Sequence, residues 1–164
     1  MWIIVLCVAV CRPYSVCPRL QFSLSLPHGA EGVTQCNNKL FVVCVESDTI
    51  EVFGRDNKQQ TNITVTGLKQ PNDIVACTDT EQLYITDCSR SDCVWRVSLD
   101  GQHVDKWLTN KLTSTTDWRP YSLSLTYRRL LVTSNDILNA NNSLFLFGPD
   151  GAQSKHISLS NKGL

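Results

Sequence analysis

Eight cysteines, three histidines and a few acids are the residues of this chain with chemical potential. The cysteines stand at positions 7, 11, 17, 36, 44, 77, 88 and 93. A structural zinc site needs four ligands, and no second Cys or His pair accompanies Cys88 and Cys93 at metal spacing. These two instead bracket a short loop. A local disulfide would close that loop in an extracellular protein, and two thiols are equally compatible with it. Cys36 and Cys77 fill the same position of a repeat and read as small buried strand residues. His103 and His156 occupy related repeat positions, which points to structural roles, and His28 has only Glu31 nearby in sequence. There is no Gly-x-Ser-x-Gly elbow, no phosphate-binding loop and no paired-glycine dinucleotide fingerprint. The sequence therefore names no catalytic residue, no cofactor and no metal ligand, and it points away from an enzyme.

Charge narrows the partners. Fifteen basic and fifteen acidic residues cancel within 164 residues. No run of Lys or Arg stands out, so an RNA partner is not favoured over a protein partner. The apolar stretch Trp2–Val10 is too short for a membrane-spanning helix. It lacks a basic leader and a small-x-small cleavage site, so it reads either as a signal-like segment or as a strand. With no complete targeting pattern, the cytoplasm is slightly favoured over secretion. We divide the chain into this N-terminal segment, 1–20, and a repetitive region, 21–164.

The elements that position these residues recur. Leu40-Phe41-Val42-Val43, Leu83-Tyr84-Ile85-Thr86 and Leu130-Leu131-Val132-Thr133 lie about 45 residues apart. Each is followed by a second apolar run: Thr49 to Phe53, Cys93 to Val97 and Ser143 to Phe147. Then comes a turn pair: Asp56-Asn57, Asp100-Gly101 and Asp150-Gly151. A shorter strand precedes each unit (Glu31 to Cys36, Asn72 to Cys77, Tyr121 to Leu125), and another follows the turn (Asn62 to Thr66, His103 to Leu108, His156 to Ser160). Val, Ile, Thr and aromatic enrichment with period-two alternation marks all of them as strands. His103 to Leu108 fits least, because Lys106 and Trp107 break its alternation. The Asp-Gly pairs predict type I′ hairpin turns. A further strand, Gln21 to Leu26, stands before the first unit as an orphan. The fold class is thus all-β: a β-propeller of about three four-stranded antiparallel blades (28–68, 69–110 and 118–161) plus one orphan strand.

The second unit carries a family resemblance. Pro71-Asn72-Asp73-Ile74, Leu83-Tyr84-Ile85-Thr86-Asp87, Val94-Trp95-Arg96-Val97 and Asp100-Gly101 together resemble the NHL repeat. The strand-end acid Asp87 has Cys44 and Ser134 as counterparts, and the third unit carries an insertion between its second and third strands. The resemblance implies a six-bladed propeller that serves as a protein-interaction scaffold. Three readable blades and one orphan strand fall short of the roughly four to eight that close a propeller, so the ring is expected to be incomplete and to need further blades or self-association to close. Some propeller families instead build a calcium-dependent, lactonase-like site in the central channel. Glu31, Asp73, Asp87 and Asn135 are the residues that could serve it, although turn hydrogen bonding is the commoner use of such short acids.

Binding residues are expected on loops. In a propeller, the loops between second and third strands share one face with the inter-blade connections. That face would carry Arg90, Asp92, Trp118, Arg119 and Tyr121, an aromatic-plus-arginine composition enriched at interfaces. Trp118 and Tyr121 would serve equally well as wedges between blades. Asn62 and Asn141 each begin a glycosylation sequon.

Overall fold

The computed structural model describes residues 2–5, 23–26, 28–54, 58–89, 93–108, 118–126, 129–136, 141–148 and 151–159. Three four-stranded antiparallel sheets follow one another along the chain. The first contains β3 (Ala30–Cys36), β4 (Lys39–Cys44), β5 (Thr49–Phe53) and β6 (Ile63–Thr64) in sequential order. The second contains β7 (Pro71–Cys77), β8 (Gln82–Asp87), β9 (Cys93–Ser98) and β10 (Val104–Leu108). The third contains β11 (Trp118–Thr126), β12 (Arg129–Asp136), β13 (Asn141–Phe147) and β14 (Gln153–Leu159). The expected orphan strand is not alone. As β2 (Ser23–Leu26) it pairs antiparallel with β1 (Trp2–Val5), so the start of the N-terminal apolar run is a strand. Among the described residues, no helix is long and apolar enough to cross a membrane.

The sheets stack through apolar side chains that alternate between their two faces. Phe41, Val43, Ile50 and Val52 of the first blade meet Ile74, Leu83, Ile85, Trp95 and Val97 of the second. The opposite face of the second blade presents Tyr84 and Val94 to Leu130, Val132, Phe145 and Phe147 of the third. Leu26 covers the remaining face of the first blade, over Leu40, Val42 and Phe53. At the inner edge the backbones nearly touch. A Cβ on Gly32 would lie 2.9 Å from the backbone nitrogen of Ile74, so only glycine allows β3 to approach β7 this closely.

One irregularity repeats in all three blades. The first strand of each carries a bulge at its start: between Ala30 and Gly32, between Pro71 and Asp73, and between Pro120 and Ser122. Glu31, Asn72 and Tyr121 are the extra residues. A bulge frees a backbone N–H from the ladder, and a buried donor without a partner is costly. In the second blade the Asp73 N–H donates to Thr86 Oγ1 at 3.0 Å. In the third, the Ser122 N–H donates to Thr133 Oγ1 at 3.0 Å. The hydroxyl ending the Leu-Tyr-Ile-Thr and Leu-Leu-Val-Thr runs thus serves the bulge opposite.

The turns differ from the sequence-based expectation. Gly101 has φ +74° and Gly151 has φ +77°, but Asp100 keeps a negative φ, so Asp100-Gly101 is not a type I′ turn. The Gly101 N–H donates to the carbonyl of Ser98, and Ser98 N to that of His103, giving a wider loop with a left-handed glycine. The glycine is required twice over. A Cβ on Gly101 would lie 2.8 Å from Ile63 of the preceding blade, and one on Gly151 would lie 3.2 Å from Trp107 Nε1. The type I′ conformation is instead adopted by Asn37 and Asn38, with φ of 48° and 59°, which join β3 to β4. Asp56 and Asn57 lie outside the described residues.

The broken alternation in β10 also has a cause. Its register to β9 shifts between Lys106 and Leu108. The extra residue, Trp107, packs 5.0 Å from Tyr84 and 6.1 Å from Phe147, ring centre to ring centre. The insertion in the third unit lengthens the β12–β13 ladder, which extends through Ser134–Ser143 and Asn135–Asn142 to Asp136–Asn141.

Candidate interaction face

Antiparallel alternation gives the sheets two ends. The turns after the first and third strands lie at one end, and the inter-blade links with the loops after the second strands lie at the other. A cavity of about 520 Å³ opens at the latter end, lined by Glu46, Lys69, Gln70, Ser89 and Arg119. A second cavity of about 440 Å³ lies at the opposite end, where Asn37, Lys39, Glu81, Asp100 and His103 come together.

The first cavity rests on Asp87. This residue exposes no surface, yet its carboxylate accepts at least four hydrogen bonds. Lys69 N donates at 3.3 Å, Gln70 N at 3.1 Å, Ser89 N at 3.0 Å and Trp95 Nε1 at 3.3 Å. Burial by itself would raise the carboxyl pKa. The hydrogen bonds from Ser89, Gln70 and Trp95 outweigh burial and hold it below the ordinary carboxylate range. One side chain thereby fixes the inter-blade link, the loop after β8 and the Trp95 indole. The counterpart in the third blade acts by a different atom: Ser134 Oγ donates to the Arg119 carbonyl at 2.9 Å. In the first blade the position is Cys44, whose thiol burial pushes up to about 11. A backbone bond recurs here as well, from Val45 N to Gly29 O at 2.7 Å and from Cys88 N to Gln70 O at 2.8 Å.

The residues expected on this face have different fates. Arg119 lines the cavity. Tyr121 is the bulged residue of β11 and is 55% exposed, with its carbonyl held by Asn72 Nδ2 at 2.8 Å and Thr86 Oγ1 at 3.1 Å. Trp118 opens β11 opposite Asp136. Arg90 and Asp92 lie outside the described residues. Lys69, Gln70, Ser89 and Glu46 belong to the cavity but escaped the sequence reading. A signal for Gln70 was present: it precedes Pro71 as Arg119 precedes Pro120.

Cys88 and Cys93 are thiols and are not bridged to each other, contrary to the disulfide alternative. Cys93 lies opposite Asp87 in the ladder, so the next residue, Cys88, projects to the other face. Its Sγ donates to the Pro120 carbonyl at 3.0 Å. Of the acids considered for a channel site, Asp73 clamps two blades together. Its Oδ2 accepts from Ser122 Oγ at 2.8 Å and Leu123 N at 2.7 Å, and its Oδ1 accepts from Ile74 N at 2.9 Å. Among the described residues, no three His, Cys, Asp or Glu side chains converge as metal ligands would. Asn62 is exposed, with its Oδ1 accepting from Gln59 Nε2 at 3.3 Å, and Asn141 begins β13.

No protein-family model matches the sequence, and no curated protein does. Solved structures do. Hydrazine synthase of Kuenenia stuttgartiensis superposes with a TM-score of 0.69 at 13% identity, over 87% of this chain and 40% of the other. The WD40 β-propeller domain of Doa1 gives 0.62 at 15% identity, over 84% and 43%. Virginiamycin B lyase from Staphylococcus aureus gives 0.61 at 14% identity, over 83% and 44%. The fold is a β-propeller. This chain spans less than half the length of these three structures and contains three successive four-stranded blades.

Proposed function

We propose that this propeller segment is a non-catalytic scaffold of the NHL-like, six-bladed type, and that its loop face binds a segment of a protein partner. The observation that carries this reading is Tyr121: a bulge turns this large aromatic outward, 55% exposed, two residues from Arg119 at the cavity wall. Tyr and Arg in this setting are typical anchors of protein interfaces. The NHL assignment rests on the second blade, where Asp87 gives the motif's strand-end acid a structural purpose. Ring closure by further blades or by self-association fits the outer face of the third blade, where Leu131 and Leu144 are half-buried and Ile157 is 37% exposed.

Selection of displayed random peptides on the 164-residue chain tests the reading. Peptides are expected to be enriched by the unaltered chain and lost with Arg119→Glu combined with Tyr121→Ala. Lys39→Glu at the opposite end should leave enrichment unchanged. Binding that ignores the Arg119 and Tyr121 changes would reject this face.

A further inference from the structure

We infer that the cavity at Lys69 and Arg119 is a carboxylate-binding site, which takes an Asp or Glu side chain of the partner segment. The inference rests on the loop face being the binding face, and it adds the chemistry of the ligand. Lys69 and Arg119 come from different blades yet line one cavity. Among the described residues, neither side chain makes an ion pair, whereas Arg96 meets Asp105 at 2.8 Å on β9 and β10. Two cations without acid partners, facing one concavity, form a ready anion site.

The site is also preorganised. The Lys69 backbone is held by Asp87, and the Arg119 backbone by Ser134. Neither anchor depends on ligand, so binding has only the two side chains left to order, not the backbone that carries them. Ser89, only 7% exposed and tied to Asp87 through its N–H, lines the same cavity.

Three features select a carboxylate over a phosphate chain. The cavity volume suits one or two side chains rather than a polymer groove. Among the described residues its lining holds two cations, whereas nucleic-acid affinity grows with the number of phosphates neutralised. Glu46, on the same wall, repels a dianion more strongly than a monoanion and can accept an N–H from the partner backbone. Tyr121 then offers the neighbouring aromatic contact.

Labelled poly-L-glutamate, poly-L-glutamine and polyphosphate, each titrated with the full chain and followed by fluorescence anisotropy, test this. Poly-L-glutamate is expected to bind best and to weaken steeply with salt. Lys69→Ala with Arg119→Gln should weaken it at least tenfold, with the melting temperature monitored to confirm folding. The exposed Lys69→Ala alone should give a smaller loss in the same direction. Lys39→Ala with Lys155→Ala should change little, and Glu46→Gln should raise polyphosphate binding more than poly-L-glutamate binding. Equal binding of poly-L-glutamine, a preference for polyphosphate, or an equal loss from the Lys39 and Lys155 pair would each overturn the inference. If displayed peptides still depend on Arg119 and Tyr121 but are not acidic, the carboxylate assignment fails while the binding face stands. If no peptide depends on that face, the functional reading itself fails.

Discussion

Asp73 Oδ2 lies 2.8 Å from Ser122 Oγ, joining the first strand of one blade to the first strand of the next across 49 residues of sequence. The same oxygen accepts the Leu123 N–H at 2.7 Å. At the equivalent place in the first blade stands Gly32, where backbone meets backbone directly. Adjacent blades are therefore joined at one radial position by two means, a carboxylate and a close approach. Asp73→Ala should cost about 1–3 kcal/mol, since it strands the partly buried Leu123 N–H and removes charge-assisted bonds. Hydrogen exchange should show the loss of protection concentrated in β11, with β3 to β6 little changed. Uniform loss across all three blades would contradict the clamp.

Asp87 should make stability depend on acid. Its folded-state pKa is held below the unfolded value of about 3.9. Its stabilisation is thus complete above that unfolded value and is lost as pH falls through the folded one. Asp87→Asn should lower stability at neutral pH by about 2–3 kcal/mol, as expected for charge-assisted bonds in a buried site. The same change should flatten the acid limb of the stability profile. Chemical denaturation across pH 2 to 7 measures both effects. An acid limb that keeps its slope in Asp87→Asn would assign the acid sensitivity to other groups.

Gly101 and Ile63 should be energetically coupled. Gly101→Ala imposes a positive φ on a residue with a Cβ and drives that Cβ within 2.8 Å of Ile63. The cost should be about 1–3 kcal/mol. Ile63→Ala also destabilises, but it opens space for the new methyl group. In the double variant the total should fall short of the sum by about 0.5 kcal/mol or more. Strict additivity in a denaturation series would mean that only the dihedral angle matters.

The thiols should react in an order set by burial. Cys44 is fully buried, with its pKa pushed up to about 11 first by desolvation and then by the nearby Glu51. It should resist a thiol reagent at pH 8 in the folded protein and react after denaturation. Cys88, less buried, should react before it. Mass spectrometry of the modified peptides gives the order. Rapid native modification of Cys44 would place that strand end in solvent.

The sequence by itself determined the repeat, and through it the fold. Strand character is local: β-branched and aromatic enrichment marked the strands of each blade, from Leu40-Phe41-Val42-Val43 to the late run at His156, with the alternation broken only in His103 to Leu108. Only the tertiary structure decided the rest, because the deciding contacts join residues a whole blade apart. Register is one such property. The bulges that isolate Glu31, Asn72 and Tyr121 appear only when each first strand is laid against its partner. The turn type at Asp100-Gly101 is another, since the preceding blade's Ile63 shares in dictating the glycine. The cavity is the third. Lys69 and Arg119 are distant in sequence, and nothing local in Lys69-Gln70-Pro71 reveals that Asp87 will hold it beside the start of the next blade.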